Sequence, residues 1–474
     1  MKYVILLLLF YITSTSGFKT AANPWVTCSL DDGAVHCWGK NYKGLLGIGD
    51  TDETTVHTTP QQVYASGVVD LACTYNGACC AIKDGNIMCW GSGVDYMTGL
   101  NTANPTYSPT QADDDGYDMI GCGVNACIAR KSSNKGWMGW GGGYSRMLGP
   151  GTDDDKIPKY DCGLPQLKME DFVVVGFGVV ATDSSGDVWG WGKNSHSGWG
   201  GTTGYETCPK KFNSIVSSMR HCVSFIKSGN GGMDTGYCKD SSGDVWAWGN
   251  TVSLRLVGPS HTFSYTDYTV AKLITYTTNK AASGEVDDGW DNVKEIAVND
   301  DTIYILTTDG KIYFGGDKSG GYTATETISW SSITSAVELD AWGSNNDHVG
   351  VAGEKGFIVK KTDGTKWSIG NNANGQLGTT DQLTDTTYPF SIKQHDPPPR
   401  CALNEYGNNG VCTACGANTV AKTVGDLQSC TNCTCECPVN YYGNNGACTA
   451  CASAYRNPAG DDQACTTCSC TKLP

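Results

Sequence analysis

The chain has 474 residues, among them 24 Cys and 61 Gly, and a formal net charge of −15 with only 17% of residues charged. That acidity argues against a nucleic-acid partner, since little here would neutralise phosphates, and reads instead as solubility. Many glycines beside many aromatics suit an all-β protein with frequent tight turns and exclude a helical bundle.

The N-terminus opens with Met1-Lys2, runs unbroken and apolar from Tyr3 to Ile12, and continues with small residues from Thr13 to Gly17. This layout predicts a secretory signal peptide over residues 1–17. The apolar run is too short to cross a bilayer, and no later segment is long or apolar enough to do so. An even number of cysteines behind such a leader is expected to form disulfides in an oxidising compartment, and the protein to be secreted or extracellular.

Internal repetition follows. Trp-Gly recurs at Trp38-Gly39, Trp90-Gly91, Trp140-Gly141, Trp191-Gly192 and Trp248-Gly249, and decays to Phe314-Gly315 and Ile369-Gly370. Seven strand-rich units of about 50 residues predict a propeller or a linear array. Each unit places a hairpin before the Trp-Gly. The turn is Asp32-Gly33, Asp84-Gly85, Asp309-Gly310 or Asp363-Gly364, and Ser185-Gly186 and Ser242-Gly243 replace it elsewhere. Such pairs are expected to form two-residue turns, which need positive φ at both central positions. A Gly-rich loop follows, as in Asn41 to Gly47 and Asn371 to Gly378.

The turns set the register of the cysteines. With Asp32-Gly33 as the turn, Cys28 faces Cys37; with Asp84-Gly85, Cys80 faces Cys89. Both fall at non-hydrogen-bonded positions, where strands approach most closely, so Cys28–Cys37 and Cys80–Cys89 are predicted disulfides. Parity then favours Cys73–Cys79, Cys122–Cys127 and Cys222–Cys238 beside the first strands of units 2, 3 and 5, and Cys162–Cys208 bracketing unit 4. The adjacent Cys79 and Cys80 leave an exchange of partners open.

The segment Cys80-Ala81-Ile82-Lys83-Asp84-Gly85, closing on Cys89-Trp90-Gly91, and the later Asn374-Gly375-Gln376-Leu377-Gly378 resemble the repeat of the regulator of chromosome condensation family. The resemblance is to its extracellular, cysteine-paired relatives above all. It covers about residues 20–395 and is strongest in units 1, 2, 4 and 7. Unit 3 has a longer turn from Lys131 to Gly136, unit 5 carries insertions and unit 6 lacks the Trp. The resemblance implies an all-β, seven-bladed β-propeller of four-stranded blades over residues 18–394.

His395-Asp396-Pro397-Pro398-Pro399-Arg400 is expected to be a stiff linker. Residues 401–474 hold twelve of the cysteines in two six-cysteine modules, from Cys401 to Cys435 and from Cys437 to Cys470. Each module contains two CxxC pairs at zinc-ribbon spacing. Behind a signal peptide, disulfides are the preferred reading, because segments this poor in apolar residues need staples. The modules resemble cysteine-rich repeats of ciliate surface and secreted proteins. No hydrophobic tail follows Cys470, so a lipid-anchor signal is not expected. Asn432-Cys433-Thr434 is a glycosylation sequon.

No HExxH, GxSxG or Walker loop is present, no cofactor is expected, and no catalytic residue is predicted. Gly176 to Ala181 matches a dinucleotide fingerprint but reads as strand, since a fingerprint needs a following helix. Acidic runs at Asp50 to Glu53, Asp113 to Asp115 and Asp153, Asp154 and Asp155 read either as calcium loops or as solvated loops. The irregular stretch 250–291 contains His261, Phe263, Tyr265 and Tyr268 and is the candidate recognition loop. The resulting expectation is an extracellular binding or structural protein that engages a protein or glycan, with the tail as stalk or assembly module. Two alternatives stay open: an enzyme with its site at the channel mouth, and a guanine nucleotide exchange factor, which a signal peptide disfavours.

Overall fold

The computed structural model of the protein describes residues 18–142, 147–148, 167–194, 204–211, 222–226, 235–240, 245–249, 268–274, 277–281, 284–287, 293–298, 302–316, 328–329, 335–342, 356–370, 372 and 374–378, and beyond these only strands of two to four residues as far as 472. The chain divides into two compact units. One comprises Met1–Thr58 with Val63–His395, the other Thr59–Gln62 with Asp396–Pro474.

The first unit is built of antiparallel meanders. Sheet 1 contains Lys19–Ala22, Val26–Asp31, Ala34–Lys40 and Val56–Tyr64; sheet 2 contains Val68–Cys73, Ala78–Lys83, Asn86–Gly91 and Thr106–Asp113. Sheet 3 shows three strands among the described residues, Tyr117–Cys122, Ala126–Lys131 and Trp137–Gly141. Sheet 4 contains Met169–Val175, Gly178–Asp183, Val188–Asn194 and Gly204–Lys211; sheet 5 contains Cys222–Phe225, Thr235–Asp240, Val245–Gly249 and Tyr268–Ile274. Sheet 6 contains Val293–Val298, Thr302–Thr307, Ile312–Gly316 and Ile328–Ser329; sheet 7 contains Ala336–Trp342, Gly356–Lys361, Lys366–Gly370 and Lys393–Gln394. In every sheet the strands follow one another in chain order.

The turns divide into two kinds. Asp32 and Gly33 lie at φ +49° and +81°, and Asp84 and Gly85 at +53° and +81°, as a two-residue hairpin requires. At Ser185-Gly186, Asp309-Gly310 and Asp363-Gly364 only the glycine has positive φ. There the last ladder bonds run Asp183 N to Asp187 O, Thr307 N to Lys311 O and Lys361 N to Thr365 O, each enclosing three residues. The two-residue expectation is therefore corrected at these positions: a third residue turns the hairpin ahead of a left-handed glycine. The fingerprint-like Gly176-Phe177 is a hairpin turn, with Val175 opposite Gly178 and strands on both sides.

Apolar residues of successive sheets interdigitate. Val26, Leu30 and Leu45 of the first repeat pack with Leu71, Ala81 and Trp90 of the second. Ile82, Ile87 and Ala72 pack with Ile120, Ala129 and Trp140 of the third. Trp38, Trp90, Trp140, Trp191 and Trp248 are all fully buried. Each sheet thus covers the face that its predecessor cannot bury alone.

Four disulfides are described in full: Cys28–Cys37, Cys73–Cys79, Cys80–Cys89 and Cys122–Cys127. Cys28 is opposite Cys37 and Cys80 opposite Cys89 across the second hairpin of their sheets, whereas Cys73 and Cys122 join the first strand to the second. Cys208 and Cys238 are also disulfide-bonded. Their expected partners, Cys162 and the side chain of Cys222, lie outside the described residues.

In the second unit, Glu405–Asn408 pairs with Val411–Ala414, and Tyr441–Asn444 with Ala447–Ala450. Gly407 stands opposite Cys412 and Gly443 opposite Cys448, so the two halves share one register.

Candidate functional site

Three kinds of lateral bond join neighbouring sheets. The first comes from the Trp of Trp-Gly. Trp90 Nε1 donates to Leu45 O at 2.9 Å, Trp140 Nε1 to Met97 O at 3.0 Å, and Trp191 Nε1 to Met147 O at 2.9 Å. Each acceptor lies in the loop after the preceding Trp-Gly. The series returns on itself, because Trp38 Nε1 of sheet 1 donates at 2.6 Å to Gln376 O, in the loop after the third strand of sheet 7. Asn41 holds one such loop in shape: its Nδ2 donates to Asp50 O and Asp52 O, and its Oδ1 accepts from Leu46 N. Asn372 Oδ1 accepts from Leu377 N at 2.9 Å in the same manner.

The second kind uses the hairpin turns. Gly33 O accepts from Val68 N at 3.1 Å, Gly85 O from Tyr117 N at 2.8 Å, and Gly310 O from Ala336 N at 3.3 Å.

The third kind lines the cavity described below. The first strands of sheets 2, 4, 5, 6 and 7 each break register after their first residue, as between Val68 and Asp70 or Val293 and Glu295. A bulge of this type re-aims the next side chain. In four sheets that next residue is acidic, and it accepts a backbone N–H from the following first strand. Asp70 Oδ2 takes Ile120 N at 2.8 Å, Asp171 Oδ2 takes Phe225 N at 2.8 Å, and Glu295 Oε2 takes Leu339 N at 2.9 Å. Glu338 Oε2 takes Phe18 N at 3.0 Å, and Asp340 Oδ2 takes Thr20 N at 2.5 Å. Lys19 Nζ completes the passage from sheet 1 to sheet 2 by reaching Asp70 Oδ1 at 2.5 Å.

These strands and turns border an open cavity of about 880 Å³. Its charged lining consists of Asp32, Asp70, Asp84, Asp171, Glu295 and Asp340 against Lys19, Lys239 and Lys294. Its apolar lining includes Val69, which is 51% exposed. Burial first, then the neighbouring Asp340 and Glu338, push the Glu295 carboxyl up to about 7, although its bond from Leu339 N opposes the rise. Asp70 and Asp171 spend both carboxylate oxygens on backbone or lysine donors. The acids therefore stiffen the rim as structural acceptors, and the cavity offers a rigid, mixed polar and apolar surface.

Of the acidic runs, Asp52 accepts from Thr54 N, Thr54 Oγ1 and Thr55 Oγ1, which hold its carboxyl down to about 2. Glu53 accepts from Tyr107 OH at 2.8 Å. This run braces a loop against sheet 2. The carboxylates of Asp113, Asp114 and Asp115 lie within 4.8 Å of one another, and two of them are engaged, Asp113 by Tyr117 OH and Asp115 by Lys131. The calcium candidates Asp153, Asp154 and Asp155 lie outside the described residues, as do His261, Phe263 and Tyr265 and residues 1–17. Tyr268 begins the fourth strand of sheet 5, and its side chain is not among those described. The reading from sequence missed the inner-strand acids. Their shared place near the start of the first strand in four of the units was the available signal.

Comparison with known proteins agrees with this architecture. Residues 32–81 match the family model of the regulator of chromosome condensation (RCC1) repeat, a window from the first hairpin turn to the middle of the second hairpin's first strand. The chain is similar to the E3 ubiquitin-protein ligase HERC2 of Homo sapiens, 26% identical over 216 residues, which is 42% of this chain and 4% of that protein. It is similar to the ultraviolet-B receptor UVR8 of Arabidopsis thaliana, 24% identical over 277 residues, 54% of this chain and 56% of that one. The match thus spans a small part of HERC2 and about half of UVR8. Among solved structures, human WBSCR16 superposes with a TM-score of 0.58 at 14% identity, covering 77% of this chain and 94% of that one. Prp20p of Saccharomyces cerevisiae superposes with a TM-score of 0.52 at 14% identity, covering 69% of this chain and 80% of that one. At such identities the likeness is one of fold: the chain is all-β and carries an RCC1-like β-propeller scaffold.

Proposed function

We propose that the protein is a secreted, seven-bladed β-propeller whose rigid rim binds an extracellular protein or glycan, with the cysteine-rich tail as stalk or assembly module. The observation that carries this reading is the open cavity of about 880 Å³, within the size range of binding clefts, walled by strands that are bonded to one another. Supporting it are the seven sheets of three or four strands among the described residues of the first unit, beside one two-stranded sheet, and the bond from Trp38 back to Gln376, which make a closed ring of seven the natural reading. The leader-like residues 1–17 and the disulfides support export. The irregular stretch expected over 250–291 is in part regular, since Tyr268–Ile274 is the fourth strand of sheet 5 and Thr277–Ala281 pairs with Gly284–Asp287; long loops on a rigid scaffold are frequent recognition elements, so residues 250–267 are a second contact region. The binding of Prp20p to Gsp1p and histones belongs to that protein and is not carried over at 14% identity.

Affinity capture from native medium or cell-surface extract tests the reading. The wild-type protein is expected to retain a partner that Val69→Arg loses, because Val69 is exposed in the cavity and its replacement leaves the core intact. A variant without residues 250–267, which leaves the fourth strand of sheet 5 in place, is expected to bind more weakly. Unchanged capture by both folded variants would reject the rim as the binding surface.

A further inference from the structure

Two disulfides of different sheets are neighbours in the core. Cys28–Cys37 staples the middle strands of sheet 1, and Cys73–Cys79 staples the first two strands of sheet 2. The Sγ atoms of Cys28, Cys73 and Cys79 all lie within 4.8 Å of one another, while Cys37 falls outside that group. All four cysteines are buried in one apolar cluster with Leu71 and Trp90. One sulfur of the first bridge therefore faces both sulfurs of the second.

We propose that these four cysteines form a thiol–disulfide exchange unit that, once the sheet 1 bridge is reduced, transfers a crosslink from within sheet 2 to the boundary between sheets 1 and 2. An external dithiol supplies the two electrons that open Cys28–Cys37. The Cys28 thiolate then attacks the Sγ of Cys73 or Cys79. A new bond forms between the sheets, the Cys73–Cys79 bond breaks, and the displaced sulfur leaves as a thiolate that takes up a proton. One disulfide is consumed and one is made, so the exchange itself needs no further oxidant. Proximity in a packed core favours this intramolecular attack over attack by a further external thiol, which reaches these sulfurs only during local opening. The thiolate is the attacking species, so exchange accelerates as pH rises.

The test compares two variants that lose the same staple. Cys37→Ser leaves Cys28 as a free thiol beside the second bridge, and Cys28→Ser leaves Cys37 as a free thiol outside the group. Each secreted protein is incubated between pH 7 and 9, quenched in acid, alkylated under denaturing conditions and mapped by mass spectrometry. Cys37→Ser is expected to yield a bridged peptide joining Cys28 to Cys73 or Cys79, with a matching free thiol at the displaced position, in amounts that grow with pH. Cys28→Ser is expected to keep its label at Cys37. Label confined to Cys28 in the first variant overturns the proposal, as does equal scrambling in both. If neither variant is exported, the wild-type protein under limiting dithiothreitol supplies the same readout. Accumulation of free thiols at Cys28 and Cys37 without the inter-sheet peptide then overturns it.

Discussion

Gly91 and Gly186 both have positive φ, at +98° and +75°, but their surroundings differ. A Cβ on Gly91 would stand 2.7 Å from Gly77 O, and one on Gly186 would meet nothing within 4 Å. Gly91→Ala combines left-handed strain with a backbone clash and is expected to cost roughly 3 kcal/mol or more, Gly186→Ala only about 1 kcal/mol. Urea unfolding midpoints of the two variants measure the contrast. Glu295 makes a second residue-scale prediction. Its carboxyl is raised in the fold from 4.5 to about 7, so the folded state binds the extra proton. The stabilisation from this group is complete below about pH 4.5 and disappears as pH rises through about 7. Glu295→Gln is expected to flatten the fall in stability between pH 5 and pH 8, which chemical unfolding at the two pH values reads directly. An unchanged slope would mean that Glu295 titrates as an ordinary surface carboxylate.

At the scale of the element, each sheet is a local unit with two kinds of fastening. Cys80–Cys89 closes a short hairpin, with a sequence separation of 9. Replacing both cysteines by Ala is expected to lower stability by about 2–3 kcal/mol while leaving the strand pairing in place. Asp70 fastens in the other direction, to Lys19 of sheet 1 and Ile120 N of sheet 3. Asp70→Asn keeps the shape but turns an amide towards one of these donors, and a loss of about 2 kcal/mol is expected by denaturant unfolding. The hairpin fastening was legible in the sequence, because a two-residue turn and strand alternation alone put Cys28 opposite Cys37. The Asp70 fastening was not, because its donors lie 51 and 50 residues away in other sheets.

For the first unit as a whole, the decisive place is the seam between sheets 1 and 7. Asp31 receives Lys360 at 2.6 Å and Lys366 at 3.0 Å, with all three side chains mostly shielded. Burial raises the Asp31 carboxyl, but the hydrogen bond from Lys360 and the charge of Lys366 prevail and hold it below 3.8. Its contribution is therefore present above about pH 4 and is lost as pH falls further. Asp31→Asn is expected to cost about 1–2 kcal/mol at pH 7, with the difference from wild type narrowing as acid protonates Asp31. Differential unfolding at pH 7 and pH 3 checks this.

The sequence by itself determined the repeat period, the all-β class and the facing of hairpin cysteines, since these depend on turn chemistry and on the two-residue alternation of a strand. Even here its reach ended with local geometry: Asp309-Gly310 and Asp84-Gly85 look alike in sequence, yet one closes a three-residue turn and the other a two-residue turn. Only the tertiary structure decided which carbonyl each Trp indole meets, which N–H groups the inner acids accept, and which disulfides become neighbours. Those partners come from separate repeats, and their meeting depends on how whole sheets pack side by side, a geometry that no short span of sequence encodes.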